Sequence, residues 1–307
     1  MNAYLADFET WLKNEDKVEK TIRTYLSVMT KFMAWYEQTE GTKFDPRDVS
    51  PILLQDFRSH LQNVENQKPA TINKALATLK TFFGWAVDAG HINNNPALKV
   101  KMKRVQQTHA PKWLSDGEQN RLLYALETER NQFKQARDKA IVLTMMYGGL
   151  RVEEVSELKV NHIDIKNETV TVVNGKGGKY RTVPMTKELR RALKQWLSYR
   201  IDSDKKVHQN SDFLFVSERS GQMTTRAIAY VVDGYLERSG LLERIQDGTK
   251  TDGFSCHSLR HTFCKNLVNA GWSIQNVARV AGHDSIQTTM RYVEPSEDEL
   301  KKAMQLL

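Results

Sequence analysis

Apolar residues return at three- and four-residue steps through most of this chain, and that period restricts the fold more than any other feature. Ile22, Leu26, Met29, Phe32 or Met33 and Tyr36 fall on one stripe of a helix, because 3.6 residues per turn bring such positions to one face. Ile72, Leu76, Leu79, Phe83 and Val87 repeat the pattern between about Thr71 and Ala89. Shorter helices are expected on each side of Asp16 and from Pro51 to Gln62, giving a bundle of about four. One stretch departs from the rule. Thr169 to Asn174 is a β-branched run, 175–179 read Gly-Lys-Gly-Gly-Lys, and Tyr180 to Pro184 can return as a strand. A β-hairpin is therefore expected inside an otherwise helical second half. The class that follows is mainly α with a small β-hairpin or sheet, the second half being an α+β domain.

At 307 residues the chain exceeds one ordinary core, so two domains are expected. Periodicity breaks after Asn93, Asn94, Asn95 and Pro96, and Lys99, Lys101, Lys103 and Arg104 lead into a polar stretch ending at Pro111. Residues 99–112 read as a basic linker between a helical domain, 1–98, and a second domain, 113–307, which Ser115 and Glu118 open with a Ser-x-x-Glu capping box. The longest apolar run, Ala140 to Leu150, falls short of the roughly 20 residues that span a bilayer and reads as a buried helix, so no membrane partner is expected. The first residues lack a basic start before an apolar stretch and do not form a signal peptide. Two cysteines, Cys256 and Cys264, are too few for a disulfide framework and suit a reducing, cytoplasmic setting.

Lys and Arg number 45 against 37 Asp and Glu, and the resulting charge of +8 favours a polyanionic partner, nucleic acid first. Lys20, Arg23, Lys68 and Lys74 on the helical domain are candidate DNA contacts, as are Lys101, Lys103 and Arg104 in the linker. Each would look the same as a solvated surface charge.

Three places carry chemistry. Leu259, Phe263 and Leu267 mark the core face of one helix, while His257 and Arg260, three apart, can converge on one anionic group from another face. A surface pair has the same spacing. His261 could join His257 as half of a zinc site, but Ser258 stands where the zinc-protease motif has its Glu, and no metal is expected. Upstream, Gly148-Gly149-Leu150-Arg151 ends the buried helix with an arginine that Glu154 can pair. Downstream, Ala281-Gly282-His283 closes a helix, Asp284 or Ser285 can cap the next, and Tyr292 comes near its end.

Taken in order, Gly-Gly-Leu-Arg151-x-x-Glu154, Gly-Lys176-Gly-Gly-Lys179, His257-x-x-Arg260-His261, Gly282-His283 and Tyr292 resemble the signature of the tyrosine recombinases, which include phage integrases, Xer-type resolvases and transposon-encoded recombinases. The resemblance covers nearly the whole chain, the first half being similar to the family's SAM-like core-binding domain. It implies a two-domain, C-shaped DNA clamp acting on a double-stranded recombination site. It also implies attack by Tyr292 on a phosphodiester, a 3′-phosphotyrosyl link, and rejoining by a partner strand's 5′-hydroxyl without ATP or any cofactor. In this reading Arg151 and Arg260 clamp the nonbridging oxygens, and His257 is a general acid or base. His283 bonds the phosphate, Lys176 protonates the leaving 5′-oxygen, and Glu154 orients its neighbours. Lys179 is the alternative proton donor, or a phosphate contact.

Ser296 and Glu299 form another capping box, opening a short helix through Leu300, Met304 and Leu307. Its apolar stripe can pack on its own domain. The resemblance implies that it docks instead on a neighbour, linking a homotetramer around two duplexes. No arm-binding domain is expected before the first half, which suits a simple Xer-like or transposon recombinase. The alternatives are a relaxing enzyme of the type IB topoisomerase kind and a catalytically silent DNA-binding regulator.

Overall fold

The computed structural model describes residues 3–104, 111–173, 180–244, 253–293 and 304. It divides into two compact units, Met1–Thr108 and His109–Leu307.

The first unit holds helices α1 (Ala3–Asn14), α2 (Glu19–Glu40), α3 (Pro51–Asn63) and α4 (Pro69–Asp88). Sequence suggested a separate short helix after Asp16; instead Asp16 adopts a left-handed φ of 51°. It turns the chain directly into α2, whose stripe begins at Ile22. Ser50 caps α3 by accepting from the Leu53 N–H at 3.2 Å, and Pro51 supplies a first-turn residue that needs no N–H partner. The helices close over an aromatic core: Phe32 meets Phe57 edge-on at 5.0 Å and Phe8 meets Phe82 at 5.1 Å. Such pairs add about 0.5–1.5 kcal/mol beyond area burial. The chain after α4 stays on this unit. Val100 is buried, Arg58 of α3 donates to the Lys101 carbonyl at 3.0 Å, and Asn73 of α4 bonds both backbone groups of Lys103 at 2.7 and 2.8 Å.

The second unit is built around α6 (Gln132–Met146), buried on every side from Ala140 to Met146. It packs against α5 (Asp116–Glu127), α8 (Lys187–Ile201), α10 (Thr225–Arg238) and α11 (Cys256–Asn269), with the short α9 (Lys206–Gln209) following α8 in the chain. The expected capping box at Ser115 is present: Glu118 accepts from the Ser115 N–H at 2.8 Å. The short α7 (Val152–Ser156) leads to a three-stranded antiparallel sheet in the order β1 (Ile163–Asp164), β2 (Thr169–Val173), β3 (Tyr180–Pro184). Val170 pairs with Val183, and Val172 with Arg181. Because side chains alternate along a strand, Arg181 points with Val172 and Val183 toward the interior. The turn between β2 and β3, with Lys176 and Lys179, lies outside the described residues, as does all of the C-terminal segment after Val293 except Met304. Among the described residues no helix is long and apolar enough to cross a membrane. Two further helices, α12 (Ile274–Ala281) and α13 (Ile286–Met290), follow α11.

Candidate active site

The site forms where four chain segments end against one another. After α6 the backbone turns through Gly149 at a φ of +66°, and Arg151 becomes the N-cap of α7. Glu154, three residues on, reaches back to accept from the Arg151 N–H at 2.8 Å, so the helix start itself fixes both residues. The Glu154 carboxylate then gathers the guanidinium of Arg151 at 3.0 Å and that of Arg181 in a two-pronged bond, 2.8 Å on each arm. Arg260 stands 3.9 Å away. Burial pushes the Glu154 carboxyl up. The bonds and charge of Arg181, the Arg151 N–H and the charge of Arg260 outweigh that, holding it below the usual carboxylate range.

The last carbonyls of α12 each take one further donor of the same three arginines. Val280 accepts from Arg181 at 2.9 Å, Ala281 from Arg260 at 2.5 Å, and Gly282 from Arg151 at 2.8 Å. A helix C-terminus carries partial negative charge and unpaired carbonyls, which suits it to collecting cations. Gly282 is needed twice: its φ is +69°, and a Cβ there would lie 2.8 Å from Arg181 Nη1. Arg260 also donates to the Gly149 carbonyl, so it spans α11, the end of α6 and the end of α12. Burial first, and the charge of Arg151 next, lower its pKa to about 10. Three guanidiniums therefore share one carboxylate, and the excess positive charge can receive an anion.

His283 follows Gly282, and its Nδ1 lies 2.8 Å from the Thr289 hydroxyl. Burial, then the charges of Arg260 and Arg151, push its pKa down to about 4, so the ring is neutral at physiological pH. Ser285 rather than Asp284 is the N-cap of α13. Tyr292 was expected near the end of that helix, but α13 stops at Met290 and Tyr292 lies two residues beyond, with its N–H donating to the Thr289 carbonyl at 3.1 Å. Its ring is 1% exposed, in a small core with Phe263, Cys264, Val277 and Ala281. Its hydroxyl lies 2.5 Å from His261 Nδ1. Burial, then Cys264, raise the phenol's pKa above its ordinary value.

The structure thus brings together Arg151, Glu154, Arg260, His283 and Tyr292. His257 lies on the first turn of α11, exposed where Arg260 is buried, its ring 6.2 Å from that of His261. Two participants escaped the sequence reading. Arg181 looked like one more strand residue, although its parity with Val183 was a usable signal. His261 reads in the sequence only as half of a metal site, and its spacing from Tyr292 gives no hint of contact. The basic candidates Lys20, Arg23, Lys68, Lys74, Lys101 and Arg104 are exposed and Lys103 is partly so. Arg23 pairs with Glu19 at 3.1 Å, while Lys74 adjoins Asn73, which holds the Lys101–Arg104 segment.

A family model described as phage integrase family matches residues 112–299, and one described as phage integrase, N-terminal SAM-like domain, matches residues 4–90. The chain belongs to the phage integrase family, and its class is that of the tyrosine site-specific recombinases. Among its relatives are the TnP I resolvase of Bacillus thuringiensis, 27% identical with 98% of each chain covered, and the tyrosine recombinase XerC of Thermodesulfovibrio yellowstonii, 29% identical over 94% of this chain and 90% of that one. Among solved structures, XerA recombinase is 25% identical, with a TM-score of 0.54 and coverage of 99% of this chain and 98% of that one. XerH recombinase bound to its difH substrate shares the fold, with 23% identity, a TM-score of 0.69, and coverage of 92% of this chain and 78% of that one.

Proposed function

We propose that this chain cuts and rejoins double-stranded DNA at a specific site, with Tyr292 attacking a phosphodiester to leave a 3′-phosphotyrosyl link and a free 5′-hydroxyl. The observation that carries this reading is the excess of guanidinium charge, Arg151, Arg181 and Arg260 around the single carboxylate of Glu154, beside a tyrosine. A phosphoryl transfer state gathers charge on its nonbridging oxygens, and fixed donors aimed at that charge are each worth about 3–4 kcal/mol. Arg151, Arg260 and His283 serve as those donors, and Glu154 orients Arg151. Lys176 protonates the leaving 5′-oxygen, with Lys179 as a phosphate contact. His257 belongs to the same proton chemistry by family likeness.

Residues 1–98 act as the core-binding domain and 99–112 as a basic connection along the backbone, with Lys20, Arg23, Lys68, Lys74, Lys101, Lys103 and Arg104 meeting phosphates. The relative named as a resolvase supports a resolving role; the DNA acted on would be that of the nucleoid, in the cytoplasm. A homotetramer joined through the segment from Ser296 onward would hold two sites together. The experiment that tests the reading uses duplexes enriched by binding from a random pool, then nicked so that cleavage releases a short strand and traps the enzyme. A covalent complex that survives denaturation is expected from the natural chain and absent from Tyr292→Phe. No complex from the natural chain, or an equal yield from the variant, would refute it.

A further inference from the structure

We propose that His261 is a further catalytic residue: its Nδ1 takes the proton from Tyr292 during cleavage and returns it during rejoining. This rests on Tyr292 being the nucleophile. The hydroxyl and Nδ1 are 2.5 Å apart, within the range for proton transfer between a positioned acid and base. A phenol has one proton to give. With that proton directed at Nδ1, the ring must carry its own on Nε2. His261 and Arg260 are neighbours on α11, so the base and the guanidinium proposed to clamp the phosphate are set by one rigid backbone. His257 makes no such contact and faces solvent one turn earlier.

Burial and the charged groups around the ring keep it unprotonated, and so able to accept a proton, at neutral pH. Burial first, then His257, Arg260 and Arg291, push its pKa down to about 4, and His283 is also near it. His261 is therefore neutral at pH 7, while the phenol beside it remains protonated. No proton need move before DNA arrives. As the Oη–P bond forms, the phenolic proton becomes strongly acidic and passes to Nδ1. The P–O5′ bond breaks, and the 5′-oxygen receives a proton from the hairpin lysine. In the reverse step the 5′-hydroxyl attacks and gives its proton back to the hairpin lysine, the Oη–P bond breaks, and Nδ1–H returns the proton to the Tyr292 oxygen.

The test is single-turnover cleavage of a nicked duplex from pH 6 to 9 by the natural chain, His261→Asn, His261→Gln and Tyr292→Phe. The Asn carbonyl can sit where Nδ1 does and accept the hydrogen bond, but cannot hold the proton. The expected result is a loss of about 10²- to 10⁴-fold at pH 7 in the Asn variant with DNA affinity unchanged. The loss should shrink about tenfold per pH unit toward pH 9, as hydroxide replaces the base. His261→Gln gives the same readout if the Asn chain folds poorly. A variant that cleaves within about threefold of the natural chain, or is slow in parallel at every pH, overturns the base role. Failure of the natural chain itself to form the adduct, or an adduct from Tyr292→Phe, would instead overturn the nucleophile assignment.

Discussion

Gly149→Ala is the single methyl group expected to cost most in this site. The backbone there has a φ of +66°, which costs an L side chain about 1–2 kcal/mol. A Cβ would also stand 2.2 Å from Cδ1 and 2.5 Å from Cε1 of Phe263, whose ring is 7% exposed and packed beside Tyr292. Forcing extra volume into such a core costs about a further 1–3 kcal/mol. Together these give about 2–5 kcal/mol, or a melting temperature lower by roughly 5–15 °C for a unit of this size. Gly271→Ala isolates the backbone cost, because its φ is +82° and nothing lies within 4 Å of the added carbon. Urea unfolding of both variants beside the natural chain measures the difference. Gly149→Ala should be the less stable by about 1–3 kcal/mol, and it should also cleave more slowly, because the Gly149 carbonyl anchors Arg260. Equal stability of the two variants would refute the packing argument.

Glu154→Ala removes the carboxylate from the bonds of Arg151 and Arg181 and should destabilise the second unit by about 3–5 kcal/mol in urea unfolding; Glu154→Gln, keeping the shape, should slow cleavage by about tenfold or more with little change in DNA affinity. His261 and His283 are both depressed to about 4, so each binds its proton more readily in the unfolded chain. Their contribution is complete above pH 6.5 and is lost as pH falls toward 4, on the order of 2 kcal/mol per ring by pH 5; stability of His261→Asn should fall correspondingly less over that window. Deleting residues from Ser296 onward should leave single-site binding intact while reducing pairing of two sites, read by gel shift with two differently sized duplexes.

Much of the fold was legible because helix periodicity and caps are local. The stripe from Ile22 to Tyr36 and the Ser115–Glu118 box depend on residues three or four apart, and both formed as read. Arg151 with Glu154 was legible for the same reason. What stayed hidden depends on long closures. The carbonyls that hold the arginines sit at Val280, Ala281 and Gly282, more than a hundred residues from Arg151, and helix termini advertise free carbonyls without naming the donor. Arg181 reached the site through strand parity, and His261 reached Tyr292 through the packing of α11 against the segment after α13. His257 and Arg260 illustrate another limit: a three-residue spacing says that two side chains can serve one anionic group but not how deeply each sits, and Arg260 is buried while His257 is exposed.

The central claim is that the bond to DNA is made by one oxygen, Tyr292 Oη. Mass spectrometry of the nuclease- and protease-trimmed covalent complex tests it most directly. The account predicts a single modified peptide spanning residues 292 and 293, with the nucleotide phosphate on Tyr292. A phosphate linkage mapped to any other residue, such as Tyr230, which is exposed, would contradict it.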